Sequence, residues 1–108
     1  PDIVFTPCSN DVHQDHSVIN KESLRAFKKT SIIGYELLWN LYNSNANYYV
    51  EVDKKDVELK MKSLKCYKSQ CTREYFNDEY QYSLLAQNGR NISTSYAEKF
   101  EIIKLVDR

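Results

Sequence analysis

Apolar residues along the chain fall into short runs typical of strands and wider spacings typical of helices. Runs rich in β-branched and aromatic residues predict four strands, at residues 2–7, 31–39, 48–52 and 99–107. Periodic segments between them predict three helices, over about 15–29, 53–70 and 78–87. The resulting order of strand, helix, strand, strand, helix, helix, strand predicts an α/β layer structure with a mixed sheet.

Several residues within these elements lead to more specific structural predictions. The first strand, stopped by Pro7, is predicted to be buried, and Gly34 marks a bend or a close backbone approach in the second. Helix 15–29 is predicted to turn its apolar residues inward, namely Ile19, Ala26 and Phe27, with Ser23 between them. Asp53 or a neighbour is predicted to cap the next helix. A stripe at helical spacing on that helix predicts core: Val57, Met61, Leu64 and Tyr67.

Composition limits the classes of function. A chain of 108 residues has room for one small core, and its fifteen basic and fifteen acidic residues cancel. Nucleic acid and anionic membrane surfaces are therefore disfavoured as partners. No apolar run approaches the roughly 20 residues that span a bilayer. The chain has three cysteines, and this small, odd number argues against a disulfide framework. A reducing location, the cytoplasm, is therefore predicted.

The candidate chemistry lies in the stretch TPCSNDVHQDHSV, residues 6–18, which contains both histidines of the chain. His13 and His16 follow a strand and begin a helix, which is where α/β proteins collect ligands. Their i, i+3 spacing predicts that both imidazoles stack on one helix face. They can bind a metal together, or one can bind metal while the other meets the substrate. Asp15 lies between them and can fix the tautomer of a neighbouring imidazole.

Other residues of this stretch leave alternatives open. Cys8 can be a soft metal ligand, a nucleophile paired with His13, or a small packing residue at the strand end. Asp11 either caps the helix or shapes the loop. Further along, four residues of the segment YKSQCTREYF can line a sugar pocket or simply pack at a helix end: Tyr67, Gln70, Arg73 and Tyr75.

The segments PDIVFTPCSNDVHQDH and SLRAFKKTSIIGYELLWN resemble the C-terminal half of the PIG-L, or LmbE-like, N-deacetylases. The later segments LKCYKSQ, REYF and YAEKFEIIKL resemble that family's later helix, connecting loop and closing segment. The resemblance spans nearly the whole chain, and the HxDH loop after a strand is its most specific element.

This resemblance implies a Rossmann-like three-layer α/β sandwich and a zinc-dependent hydrolase. The implied substrate is an N-acetylglucosamine-type sugar conjugate, which loses its acetyl group to metal-activated water. The resemblance makes His16 a ligand of zinc or another divalent metal. It makes His13 a general acid or an oxyanion stabiliser, and Asp15 the residue that orients His13.

One part of the family pattern does not occur in residues 1–108. An HPDD-type segment, which precedes the HxDH loop in the family, supplies further His and Asp ligands and the general base. We therefore expect this chain to be a single partial domain, the C-terminal portion of the fold, inactive in isolation. The alternative is a non-catalytic α/β interaction module that pairs through an exposed sheet edge with another chain or with a second copy as a homo-oligomer.

Overall fold

A computed structural model describes residues 1–67 and 77–108. The described residues form a mixed α/β fold with a four-stranded sheet and three α-helices. In chain order the elements are β1 (Ile3–Pro7), α1 (Gln14–Ala26), β2 (Ser31–Tyr35), a 3₁₀ turn (Leu38–Asn40), β3 (Tyr48–Glu51), α2 (Lys54–Lys65), α3 (Asp78–Arg90) and β4 (Ala97–Lys104). The predicted order of strands and helices is confirmed, as is the mixed sheet. None of these described helices is long and apolar enough to cross a membrane.

The strand order in the sheet is β1-β2-β4-β3. β1 runs parallel to β2, with Ile3 opposite Ser31 and Pro7 opposite Tyr35. β4 runs antiparallel to β2. Because β1 and β2 are parallel, their carboxyl ends meet at one edge of the sheet, and the loops that follow both strands begin there.

The chain divides into two compact units. The first comprises Pro1–Tyr48 and Lys99–Arg108, and the second comprises Tyr49–Glu98. The histidine-bearing stretch belongs to the first unit, whereas α2 and α3 belong to the second.

In the first unit, α1 packs on β1 through polar contacts. Asn20 is buried and its side-chain amide donates to the Pro7 carbonyl at 2.8 Å, while Thr6 Oγ1 donates to Ser23 Oγ at 3.1 Å. The predicted apolar face of this helix is wrong, because Ile19 and Ala26 are exposed. The strand beneath α1 offers a hydroxyl and a carbonyl, and these polar groups require hydrogen-bonding partners rather than apolar side chains.

β1 is also less buried than its sequence indicates. Phe5 is 58% exposed and Ile3 is exposed as well, so the prediction of a fully buried strand is wrong. Side chains alternate along a strand, and α1 contacts the Thr6 side, so Ile3 and Phe5 lie on the opposite face. Phe5 meets Phe100 edge to face there, with ring centroids 5.7 Å apart.

Gly34 provides the predicted close backbone approach. A Cβ atom at this position would lie 2.9 Å from Cys8 Cα and 3.2 Å from Glu101 Oε1. β2 therefore passes directly against the start of the loop that leads from β1 to α1, and only glycine leaves room for it.

The second unit has its own small core. Val57, Met61 and Leu85 are buried together, with Val52, Tyr82 and Tyr96 packed against them. Asp53 caps α2 as predicted, through a reciprocal capping box with Asp56. Because α2 ends at Lys65, Tyr67 lies beyond the helix and is exposed, so its place in the core stripe is wrong, and Leu64 is half-buried. The predicted end of this helix, Gln70, lies outside the described residues.

α3 continues through Asn88 and Gly89 to Arg90, three residues beyond its predicted end at residue 87. The left-handed residue comes later and is Ser93, with φ of 60°. Gly89 is instead required by packing, because a Cβ there would lie 2.7 Å from the Thr94 oxygen. The Thr94 N–H donates to the Gly89 carbonyl at 2.9 Å, which folds the chain back onto the helix.

Gly89→Ala is predicted to destabilise the protein although alanine is the better helix former. The close approach of the Thr94 backbone should cost about 1–3 kcal/mol of the free energy of unfolding, more than the ~1 kcal/mol that alanine gains in a helix. Ser83→Ala, at an exposed position of the same helix, is the matched control and should be neutral or slightly stabilising. Denaturant unfolding of both variants measures this, and a stabilised Gly89→Ala would contradict it.

Candidate functional site

The site lies in the loop of residues 8–13, which we call the histidine loop, together with the first turn of α1. It follows β1 at the sheet edge where the carboxyl ends of β1 and β2 meet. The Cys8 N–H donates to the Tyr35 carbonyl at 2.9 Å and continues the pairing one step beyond the strands. The loop therefore leaves the sheet from a fixed starting point.

Asp11 organises the loop from the inside. Its side chain is 0% exposed, and its two oxygens have different partners. Oδ1 accepts the His13 backbone N–H at 2.9 Å, which is an Asx turn, and Oδ2 lies 2.9 Å from His16 Nδ1. An ionised carboxylate can only accept hydrogen bonds, so His16 must carry a proton on Nδ1. In the neutral imidazole, the lone pair of His16 is then on Nε2.

His13 has the opposite arrangement. It is the N-cap residue of α1, in an extended conformation, and its Nδ1 accepts the backbone N–H of Asp15 at 3.2 Å. A nitrogen that accepts a hydrogen bond carries its lone pair there, so the neutral His13 ring has its proton on Nε2. A histidine side chain thus serves as the helix cap, a position usually taken by Ser, Thr, Asp or Asn.

The two rings stack as their i, i+3 spacing predicts. Their centroids are 4.5 Å apart and their planes differ by 27°. Nδ1 of His16 is bonded to Asp11, and Nδ1 of His13 is bonded to the Asp15 N–H. The Nε2 atom of each ring is therefore the nitrogen that can bind another partner. One Nε2 offers a lone pair and the other offers an N–H, so the pair can bind a cation and an electron-rich oxygen side by side.

Glu101 of β4 fixes the other end of the histidine loop. This buried carboxylate accepts the Ser9 backbone N–H at 2.8 Å and the Ser9 hydroxyl at 2.6 Å. The contact joins residues 92 positions apart in sequence. Together with the close approach at Gly34, it holds the loop against the sheet.

Cys8 is a packing residue in this structure. It is 1% exposed, and its thiol donates to Asn10 Oδ1 at 3.3 Å. Burial, followed by the negative charge of Glu36, raises the pKa of the thiol to about 11. The thiol therefore stays protonated near neutral pH, which argues against Cys8 as a nucleophile paired with His13. The pKa of the Tyr35 hydroxyl is raised as well, first by burial and then by Asp11.

A second loop, residues 36–47, follows β2 at the same edge and is fastened to the histidine loop. The Val12 N–H donates to the Asn40 carbonyl at 3.0 Å. The Asn10 side-chain amide donates to the Asn43 carbonyl at 2.6 Å and lies 3.0 Å from Asn43 Oδ1. We call this segment the aromatic loop because it carries Trp39 and Tyr42.

The structure brings the two histidines together and gives each a different neighbour. Asp15 is exposed and contacts His13 through its backbone N–H. Tyr67 is exposed in the second unit, while Gln70, Arg73 and Tyr75 lie outside the described residues. Within residues 1–67 and 77–108, no group of three or more His, Cys, Asp or Glu side chains is arranged to hold a metal ion.

The sequence analysis named Asp11 as a residue that caps the helix or shapes the loop, but it did not predict the contact of Asp11 with His16, and it missed Glu101. The spacing of Asp11, two residues before the helix cap, is typical of an Asx turn and signals the contact with the His13 N–H. The same spacing does not predict the contact with His16, which depends on the conformation of the whole turn. The contact of Glu101 with Ser9 could not be predicted, because the pattern of a strand does not indicate which of its carboxylates reaches a loop 92 residues away in sequence.

The two histidines are predicted to hold opposite neutral tautomers. In a long-range ¹H–¹⁵N NMR spectrum at alkaline pH, His16 should appear with its proton on Nδ1 and His13 with its proton on Nε2. Asp11→Ala should release His16 from this tautomer because the accepting carboxylate is lost. Asp15→Ala is the matched control: it keeps the backbone N–H and should leave His13 unchanged. The same tautomer for both rings in the wild-type chain would contradict the assignment.

Comparison with known proteins finds no match for this chain. No protein-family model matches the chain, and no curated protein matches it. The likeness to the PIG-L deacetylases therefore stays a prediction from the residues themselves.

Proposed function

We propose that the chain carries one half of the active site of a metal-dependent N-deacetylase of the PIG-L, or LmbE-like, kind. The proposed substrate is an N-acetylated amino-sugar conjugate, the proposed fold is a Rossmann-like sandwich, and the proposed location is the cytoplasm. The observation that carries the proposal is the contact of His16 Nδ1 with the buried Asp11 carboxylate beside the stacked ring of His13. A ligand histidine held by a carboxylate on its second nitrogen is the usual arrangement in metal sites.

The residues present fit one side of a metal site. His16 Nε2 carries the lone pair that a divalent metal requires, and Asp11 fixes the orientation of that ring by accepting the hydrogen bond from its Nδ1–H. Zinc is the metal that the resemblance implies, and imidazole also suits other divalent metals. When bound, such an ion supplies an activated water and polarises an amide carbonyl.

His13 has the chemistry to bind the reacting oxygen. A neutral ring with its proton on Nε2 donates a hydrogen bond, and such a donor stabilises the negative charge that develops on an amide oxygen during hydrolysis. This role keeps the bond from the Asp15 N–H to His13 Nδ1 intact, so the helix start and the donor are one structural unit. Of the two roles that the resemblance implies for His13, the geometry favours oxyanion stabiliser over general acid.

The remaining ligands and the general base are proposed to come from polypeptide outside residues 1–108. The HPDD-type segment of the resembled family is the candidate. In this proposal the histidine loop contributes one metal ligand and one hydrogen-bond donor, and residues 1–108 alone do not activate water.

In a protein that joins residues 1–108 to the proposed HPDD-type segment, His16→Ala is predicted to lower the metal content. His13→Ala should spare the metal and reduce turnover by about 10²–10³-fold, the usual effect of losing one oxyanion donor. Asp11→Asn should weaken metal affinity by about 10–100-fold. Metal analysis and deacetylation of an N-acetylglucosamine conjugate measure these effects, with the exposed α1 position Val18→Ala as control.

Two outcomes would contradict the proposal. If His16→Ala and His13→Ala both leave metal content and turnover unchanged, the roles of the histidines are wrong. If purified residues 1–108 show metal-dependent deacetylation without any other polypeptide, the site is complete and the half-site assignment fails.

A second candidate function is a non-catalytic module that pairs through its sheet edge. The observation in its favour is β1, which is an edge strand of the sheet formed by the described residues and exposes Ile3 and Phe5. An open strand with apolar side chains is a template for pairing with another chain. The occupant proposed here is a second copy of this chain.

Under this candidate, residues 1–108 should form a dimer that Phe5→Lys dissociates, because lysine on an edge strand opposes pairing. Val18→Lys, at a similarly exposed position of α1, is the matched control and should leave the dimer intact. Light scattering after size-exclusion chromatography measures the mass of each variant. A monomeric wild-type chain at high concentration would remove this candidate.

A further inference from the structure

The second unit contains an open pocket of about 770 Å³ that the proposed function does not use. Its lining comes from the end of α3 and from the turn that leads from α3 into β4, residues 91–96, which we call the serine turn. The lining residues are Ala86, Arg90, Ser93, Thr94, Ser95 and Tyr96. All of them belong to the second unit, so one compact part of the chain forms the whole pocket.

Hydrogen-bond donors without partners collect at this pocket. The guanidinium of Arg90 makes no ion pair or hydrogen bond with any of residues 1–67 or 77–108. Among the same described residues, the hydroxyls of Ser93 and Ser95 and the Ser95 backbone N–H have no partner either. Arginine offers N–H donors in a fixed fork and has no acceptor. The pocket therefore combines one positive charge with two hydroxyls and a backbone N–H.

The backbone acceptors at the end of α3 are already occupied. The Gly89 carbonyl accepts the N–H groups of Ile92 and Thr94 at 3.1 and 2.9 Å. The Arg90 carbonyl accepts the Ser93 N–H at 3.3 Å. Free carbonyls at the C-terminus of a helix carry partial negative charge and repel an anion. The N–H groups of the serine turn reduce this repulsion, so the charge of the Arg90 side chain is the stronger influence on a ligand.

Ser93 has an unfavourable backbone conformation. Its φ is 60°, and it is the single non-glycine residue with a positive φ in the described part of the chain. This left-handed region favours glycine, and strained backbone of this kind concentrates at sites that bind ligands. A serine at this position keeps a hydroxyl at the pocket that glycine would not supply.

We propose that this pocket binds a phosphate group. The Arg90 fork matches two oxygens of a phosphate, and the hydroxyls of Ser93 and Ser95 donate to the remaining oxygen. A carboxylate has only two oxygens and would leave the serine hydroxyls unused. A phosphate group fills a small part of about 770 Å³, so the pocket also has room for the carrier of a phosphate ester. The inference goes beyond the proposed function and does not depend on it, because no lining residue belongs to the histidine loop.

One carboxylate opposes this binding. Glu51 Oε1 accepts the Thr94 hydroxyl at 2.6 Å, which holds a negative charge beside the pocket. Glu51→Gln should therefore strengthen phosphate binding by about two- to fivefold, the usual size of an effect between exposed charges. Arg90→Gln should raise the dissociation constant about tenfold, because the charged fork is lost.

Titration of residues 1–108 with glycerol 2-phosphate, followed by ¹H–¹⁵N NMR at constant ionic strength, measures the dissociation constant. The shifts should be saturable and confined to the Arg90 side chain and the amides of the serine turn. Arg25→Gln, at an exposed arginine of α1, is the matched control and should leave the dissociation constant unchanged. Ser93→Gly should weaken binding by about three- to tenfold. It should maintain or raise the denaturation midpoint, because glycine relieves the positive φ, and this separates a lost ligand contact from a lost fold.

Inorganic phosphate and acetate, titrated in the same way, identify the chemistry of the ligand. Tighter binding of glycerol 2-phosphate than of inorganic phosphate would assign the pocket to a phosphate ester, and equal binding would assign it to free phosphate. Both results support a phosphate site. The absence of saturable shifts, acetate binding as tight as that of phosphate, or unchanged binding in Arg90→Gln would overturn the proposal.

Discussion

The Asp11 carboxylate is fully buried, and an ionised carboxylate can be buried only where hydrogen bonds replace its water. Its two oxygens take a backbone N–H from the helix cap and a ring N–H from the first turn of the helix. The start of α1, the orientation of His16 and the stacking of His13 on it all follow from satisfying this one group. The bond to Asp11 leaves Nε2 of His16 facing outward, and the bond from the Asp15 N–H does the same for His13.

Contacts from distant strands keep this arrangement against the sheet. Glu101 accepts two hydrogen bonds from Ser9, and the absence of a side chain at Gly34 lets β2 pass close to Cys8. Burial, followed by the negative charge of Glu36 and then of Asp11 and Glu101, raises the pKa of the Cys8 thiol. At this edge of the sheet, carboxylates accept hydrogen bonds from serine hydroxyls and from the His16 ring. The outward-facing nitrogens of the two imidazoles are the groups that can contact a ligand.

The two loops at this edge have complementary properties. In the histidine loop, the side chains of Ser9, Asn10 and Asp11 are hydrogen-bonded to other parts of the protein. The aromatic loop has a polar framework that fixes it and apolar rings that remain exposed.

Local sequence determined the elements and their order, the Asp53 cap, and the stacking of His13 on His16, because each depends on residues within one or two helical turns. It did not determine which face of α1 is buried, since that depends on Thr6 and the Pro7 carbonyl beneath the helix. It did not determine the end of α3, because the backbone of Thr94 returns onto Gly89. The partner of His16 and the contact of Glu101 with Ser9 were likewise decided only by the tertiary structure. The periodicity of a segment reflects interactions among residues that are close in sequence. The features above depend instead on which distant groups must be hydrogen-bonded or buried when strands and loops pack together.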